Sequence, residues 1–125
     1  DAEDWLRRDL GPGKILAALA RRRFALDTGT FRYEVAPFVE VKQHHTLIGR
    51  WRGFGGSTNH LLWEFDDGQH CPGAGRREAR VKLVCGTEHR LVSAEEPAKC
   101  RYGLILETPI ACCDADVVEA EMAMA

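Results

Sequence analysis

Five cysteines (Cys71, Cys85, Cys100, Cys112, Cys113) and five histidines (His44, His45, His60, His70, His89) hold the metal-binding and nucleophilic chemistry of this sequence. Zinc is the obvious guest for such a set. Yet no two cysteines form a Cys-x-x-Cys pair, the histidines are scattered over different turns, and neighbours such as His70 and Cys71 face opposite sides of an extended chain. Cysteines spaced between strand-like segments suit disulfides that join neighbouring strands in an oxidising compartment. An odd count leaves one thiol over, and Cys113 is read as that leftover rather than as a nucleophile. The carboxylate pairs Asp66 with Asp67 and Glu95 with Glu96 sit in turns, where adjacent acids are solvated, and a chain this short leaves little scaffold for a hydrolase cleft. No glycine-rich phosphate loop is present. What remains is a surface of long polar side chains at strand ends, and vicinal sugar hydroxyls match the forks of Arg, Gln and carboxylate groups.

The elements that must position those side chains are short. Trp5, Leu6 and Leu10 recur at helical spacing in AEDWLRRDL, and Ile15, Leu16 and Leu19 do so in KILAALARRR, with GPG between them. From Phe24 the period changes to two. Phe24 and Leu26 precede the turn DTGT, and Phe31, Tyr33 and Val35 alternate after it. Leu61, Trp63 and Phe65 form one apolar face, Ala79, Val81, Leu83 and Cys85 another, and Tyr102, Leu104 and Leu106 a third. Strands of this kind between Gly, Asp and Pro turns predict a mostly β fold, a flattened antiparallel barrel or sandwich stapled by disulfides, with a short N-terminal helical segment. The expected divisions are a helical segment at 1–23, a β domain at 24–112 and a tail at 113–125 that is either a weak helix or frayed.

At 125 residues, 29% charged and 45% hydrophobic, the composition is that of one globular domain. A net charge of −2 argues against a nucleic-acid partner, and Arg21, Arg22 and Arg23 are read as a solvated helix end. No apolar run reaches the length of a membrane span, so no membrane partner is expected. A start at Asp1 without a signal-like segment is what a processed or trimmed piece would show.

The stretches DLGPGK, YEVAPFVEVKQ, LIGRW, CPGAGRREARVKLVCG, EEPAKCRY and LETPIAC fall in the order and approximate spacing of the mannose 6-phosphate receptor homology (MRH) domain. The sequence resembles that family over about residues 9 to 112, most of all in the version found in the β subunit of endoplasmic reticulum glucosidase II. The resemblance implies four mannose-binding residues. Gln43 ends APFVEVKQ; Arg77, rather than its neighbour Arg76, stands eight residues before Cys85; Glu96 precedes Pro97; and Tyr102 follows Cys100 by two. It further implies the pairs Cys71 with Cys100 and Cys85 with Cys112, leaving Cys113 free. In one departure, the family's additional disulfide is replaced by Arg23 and Ala36, so the hairpin from Phe24 to Val35 is expected to be a more mobile edge and the placement of Gln43 less firmly fixed.

By the same resemblance the domain is a non-catalytic lectin of the endoplasmic reticulum lumen. Its partners are a high-mannose N-glycan and a separate catalytic α subunit of glucosidase II, and its four contacts require no metal or cofactor. The alternatives within the family are the γ subunit of the lysosomal-enzyme phosphotransferase and the quality-control lectins, whose double tryptophan is replaced here by Trp51–Arg52. A docking module with a vestigial sugar site is the alternative from a different class.

Overall fold

The computed structural model describes residues 19–56 and 61–112. The helical patterns read before Leu19, His60 and everything from Cys113 onward lie outside the described residues. At the near edge of the first of these, Leu19 and Ala20 are buried, Arg22 N–H closes a turn on the Leu19 carbonyl at 3.1 Å, and Arg21 to Arg23 are exposed on the turn that leads into the first strand.

Period-two alternation becomes ten strands among the described residues: β1 Phe24–Asp27, β2 Arg32–Ala36, β3 Glu40–Gln43, β4 Thr46–Phe54, β5 Leu62–Asp67, β6 His70–Cys71, β7 Gly75–Arg76, β8 Glu78–Cys85, β9 Arg90–Ala98 and β10 Arg101–Thr108. A single helical turn, α1 Pro109–Ala111, follows; Pro109 occupies its first position and the Thr108 hydroxyl caps it by accepting from Ile110 N–H at 3.1 Å. The inward sets are those the alternation selects. Trp63 and Phe65 of β5, Ala79, Val81 and Leu83 of β8, and Tyr102, Leu104 and Leu106 of β10 are all buried, whereas Cys85, at the very end of its strand, is exposed.

Eight strands form one sheet in the order β1-β2-β3-β4-β5-β8-β10-β9, and β6 with β7 makes a small separate ribbon. The outermost strands β1 and β9 lie against each other, and the Phe24 and His89 rings meet there at 6.5 Å, so the sheet nearly closes into a barrel. One pairing departs from the expected antiparallel pattern: β10 runs parallel to β8, with Glu78 opposite Arg101 and Ala79 opposite Tyr102. The β9–β10 hairpin folds back so that β10, not β9, lies beside β8, which pushes β9 outward to meet β1.

This topology gives the barrel two unlike ends. At one, Phe38, Trp51, Phe54, Trp63 and Phe65 pack mostly edge-on, with centroid separations of 5.0 Å for Phe38–Trp51, 5.2 Å for Trp51–Phe54 and 5.1 Å for Phe38–Trp63. Phe38 and Trp63 are fully buried, and Phe38 is held at a left-handed φ of 63° that a bulky residue adopts only under tertiary constraint. At the other end β2, β4, β8 and β10 begin and β3, β5 and β9 finish. Each end has one disulfide, Cys85–Cys112 at the aromatic end and Cys71–Cys100 at the other.

Candidate functional site

Gln43 is the last residue of β3 and stands opposite Tyr33 in the ladder with β2. Its Nε2 donates to the Tyr33 hydroxyl at 3.0 Å, which fixes the amide's orientation, and His44 then takes a φ of 53° to turn the chain into β4. The Tyr33 ring in turn meets the Tyr102 ring edge-on at 6.5 Å. Both tyrosines point inward and are nearly covered, at 4% and 5% exposure, so the barrel's polar end has an aromatic floor.

Glu96 owes its position to a bulge. In the β9–β10 ladder Arg101 faces Ala98 and Gly103 faces Glu95, so Glu96 and Pro97 together oppose Tyr102 alone. Such an extra residue breaks the alternation and redirects the side chain beside it. One carboxylate oxygen of Glu96 accepts from Cys100 N–H at 2.6 Å, a short charge-assisted bond that holds the acid while the residue stays exposed.

Arg77 lies between β7 and β8, on a segment whose course depends on one glycine. A Cβ on Gly68 would fall on the Ile48 carbonyl, so only glycine lets the chain pass this close to β4. Gln69 then exchanges two bonds with Leu47: its N–H donates to the Leu47 carbonyl at 2.8 Å and its Oε1 accepts from Leu47 N–H at 3.2 Å. Arg77 closes onto this segment through its backbone N–H to the Gln69 carbonyl at 3.1 Å and its Nη1 to the His70 carbonyl at 2.8 Å. Its Nε is buried with no acceptor among the described residues, leaving one donor of the fork unspent. Arg76 differs: it is exposed and pairs with Asp67 at 3.3 Å.

The Cys71–Cys100 bridge ties the β6–β7 ribbon to the β9–β10 turn. Arg101 reinforces it, with Nη1 donating to the Arg76 carbonyl at 3.0 Å and Nη2 to the Ala74 carbonyl at 3.2 Å. The register therefore brings Gln43, Arg77, Glu96 and Tyr102 to the same barrel end, around the Tyr33–Tyr102 contact. That arrangement offers amide and guanidinium donors beside a carboxylate and a phenol. It suits paired hydroxyls, and among the described residues no three His, Cys, Asp or Glu side chains come together as metal ligands.

Reasoning from sequence overlooked Tyr33 and Gln69. Tyr33 reads as an apolar member of a strand, and only the β2–β3 register shows that its hydroxyl orients Gln43. The positions of the absent bridge are also settled here: Ala36 is buried, while Arg23 is exposed and pairs with Glu34 at 2.9 Å, so an ion pair and the β1–β2 ladder hold the hairpin.

A family model described as glucosidase II beta subunit-like protein matches residues 2–124. The glucosidase 2 subunit beta of Oryza sativa subsp. indica is 30% identical over 122 residues, covering 94% of this chain and 20% of the relative. The N-acetylglucosamine-1-phosphotransferase subunit gamma of Homo sapiens is 33% identical over 121 residues, covering 85% of this chain and 39% of the relative. The chain thus spans about a fifth of the rice relative's length and well under half of the human one's. Among solved structures, the MRH domain of glucosidase II beta bound to mannose is similar with a TM-score of 0.68 and 28% identity, covering 77% of this chain and 98% of that one.

Proposed function

We propose a mannose-binding role for this chain on one premise: it belongs to the glucosidase II beta subunit-like family and is an MRH domain similar to that of glucosidase II beta. The observation that carries the proposal is the gathering of Gln43, Arg77, Glu96 and Tyr102 at one barrel end around an aromatic floor. In this reading Gln43 and Arg77 engage the axial 2-hydroxyl that distinguishes mannose from glucose, while Glu96 and Tyr102 hold the 3- and 4-hydroxyls. Each contact is worth roughly 0.5–3 kcal/mol net, with charged partners at the upper end. After the costs of association a single sugar binds with a Kd on the order of tens of micromolar to millimolar.

The domain performs no chemistry of its own. It holds a mannose arm of a high-mannose N-glycan in the endoplasmic reticulum lumen and so raises the effective concentration of a glucosylated arm at the catalytic α subunit of glucosidase II. Residues 24–112 make up the lectin unit. A second reading, the γ subunit of the N-acetylglucosamine-1-phosphotransferase, is favoured by the 33% identity to the human protein of that name.

Titration of mannose and glucose against the domain, followed by amide chemical shifts, tests the site. Mannose is expected to bind and glucose at least about tenfold more weakly, since losing the 2-hydroxyl pairing costs more than about 1.4 kcal/mol. Arg77→Ala is expected to abolish the mannose response with the fold intact. A wild type that answers neither sugar overturns the proposal and leaves a docking module, and one that answers both equally overturns the assignment of Gln43 and Arg77 to the axial 2-hydroxyl. To separate the two readings, the longer protein containing this domain is mixed with a catalytic α-glucosidase subunit. Under the first reading, Arg77→Ala slows trimming of a glucosylated high-mannose glycan but not of a small aryl glucoside.

A further inference from the structure

On the outer wall of the barrel, two hollows of about 370 Å³ and 240 Å³ meet over Gly103, and Arg80 and Pro97 border both. Gly103 lies inside β10, where glycine weakens a strand. Nothing local calls for it. Its φ is not in the left-handed region, a Cβ there would touch nothing within 4 Å, and the neighbouring bulge lies on β9. The visible consequence of this glycine is an open floor where a side chain would otherwise stand.

The walls of the larger hollow hold equal numbers of opposite charges, already matched: Arg52 with Asp66 at 3.1 Å, Arg80 with Glu64 at 3.3 Å and Arg101 with Glu78 at 3.1 Å. With no net charge, such a lining does not select an anion or a charged peptide. The Arg52 and Arg80 pairs nonetheless leave spare N–H groups and carboxylate lone pairs able to meet sugar hydroxyls, whereas Arg101 spends most of its donors on backbone carbonyls. Pro97 adds an apolar surface for the face of a sugar ring. The trough also adjoins the site: Pro97 follows Glu96, Gly103 follows Tyr102, and Tyr102 itself borders the larger hollow.

We propose that this trough binds the sugar residues that follow the gripped mannose in a neutral oligosaccharide. The inference rests on the mannose-binding reading above. Its test compares two probes on the whole chain by calorimetry, free mannose and a high-mannose oligosaccharide, with two variants. Gly103→Val fills the floor with a residue suited to a strand, and Arg80→Ala removes an exposed side chain that borders both hollows. Wild type is expected to bind the oligosaccharide more tightly than mannose. Each variant is expected to keep its mannose affinity and to lose about three- to tenfold for the oligosaccharide, the loss of one or two hydrogen bonds. An unchanged ratio of the two affinities in both variants overturns the trough while leaving the mannose site standing, and would return this face to a protein partner. A wild type that does not bind mannose overturns the site reading and this inference with it.

Discussion

The two ends of this barrel are built from the same strands and are lined in opposite ways. At the aromatic end Phe38, Trp63 and Phe65 are buried with Trp51 and Phe54 packed against them, Phe38 keeps an unfavourable φ, and Trp63 Nε1 is buried with no partner among the described residues. At the polar end, Tyr33 and Tyr102 are the covered aromatics, and hydrogen bonds hold the polar side chains: Gln43 to the Tyr33 hydroxyl, and Arg77 and Glu96 to backbone. Burying large aromatics stabilises by area, which tolerates an orphaned indole N–H costing about 1–3 kcal/mol. A sugar site, as proposed for this end, needs the reverse, polar groups fixed in direction but not consumed. Glu96 has that form: one oxygen is tied to Cys100 N–H and the residue remains exposed.

If the ends divide stability from recognition in this way, the largest effect belongs to the aromatic end. Trp63→Ala is expected to lower unfolding free energy by about 3–5 kcal/mol in denaturant melts, the usual cost of a buried aromatic, while the protein that stays folded keeps its mannose affinity. A parallel fall in affinity would break the division. Next come the disulfides. Their sequence separations, 29 and 27 residues, are nearly equal, so Cys71→Ser with Cys100→Ser and Cys85→Ser with Cys112→Ser are each expected to cost about 3–4 kcal/mol. Only the first pair is expected to weaken mannose binding, because it alone ties the Arg77 segment to the turn between Glu96 and Tyr102; equal affinities in the two double variants would sink that assignment. The smallest effect is the most local. Tyr33→Phe deletes the acceptor that orients Gln43 and is expected to weaken mannose about three- to tenfold, the value of one hydrogen bond, with little change in melting temperature. An unaltered Kd would mean that Gln43 is aimed by something else.

Some of this was open to a reader of the sequence. The inward faces Trp63–Phe65, Ala79–Val81–Leu83 and Tyr102–Leu104–Leu106 follow from alternation, because a half-buried strand must put every second residue into the core. The chemical types at the four site positions, and their place beside cysteines, were also visible through the resemblance to the MRH family. The bulge at Glu96–Pro97 was not, since an extra residue on one strand is defined only against its partner. Nor was the role of Gly68, whose need for a missing side chain comes from Ile48, twenty residues earlier in the chain.

Taken alone, then, the sequence determined which residues face inward and which side-chain types stand at the proposed site, because both are properties of short stretches and of side-chain chemistry. The tertiary structure decided the parallel seating of β10 on β8, the closing of β9 against β1 and the shared barrel end of Gln43, Arg77, Glu96 and Tyr102. The physical reason is that strand neighbours are chosen by burial of whole faces and by the disulfides between them. Those are long-range terms that no local pattern encodes.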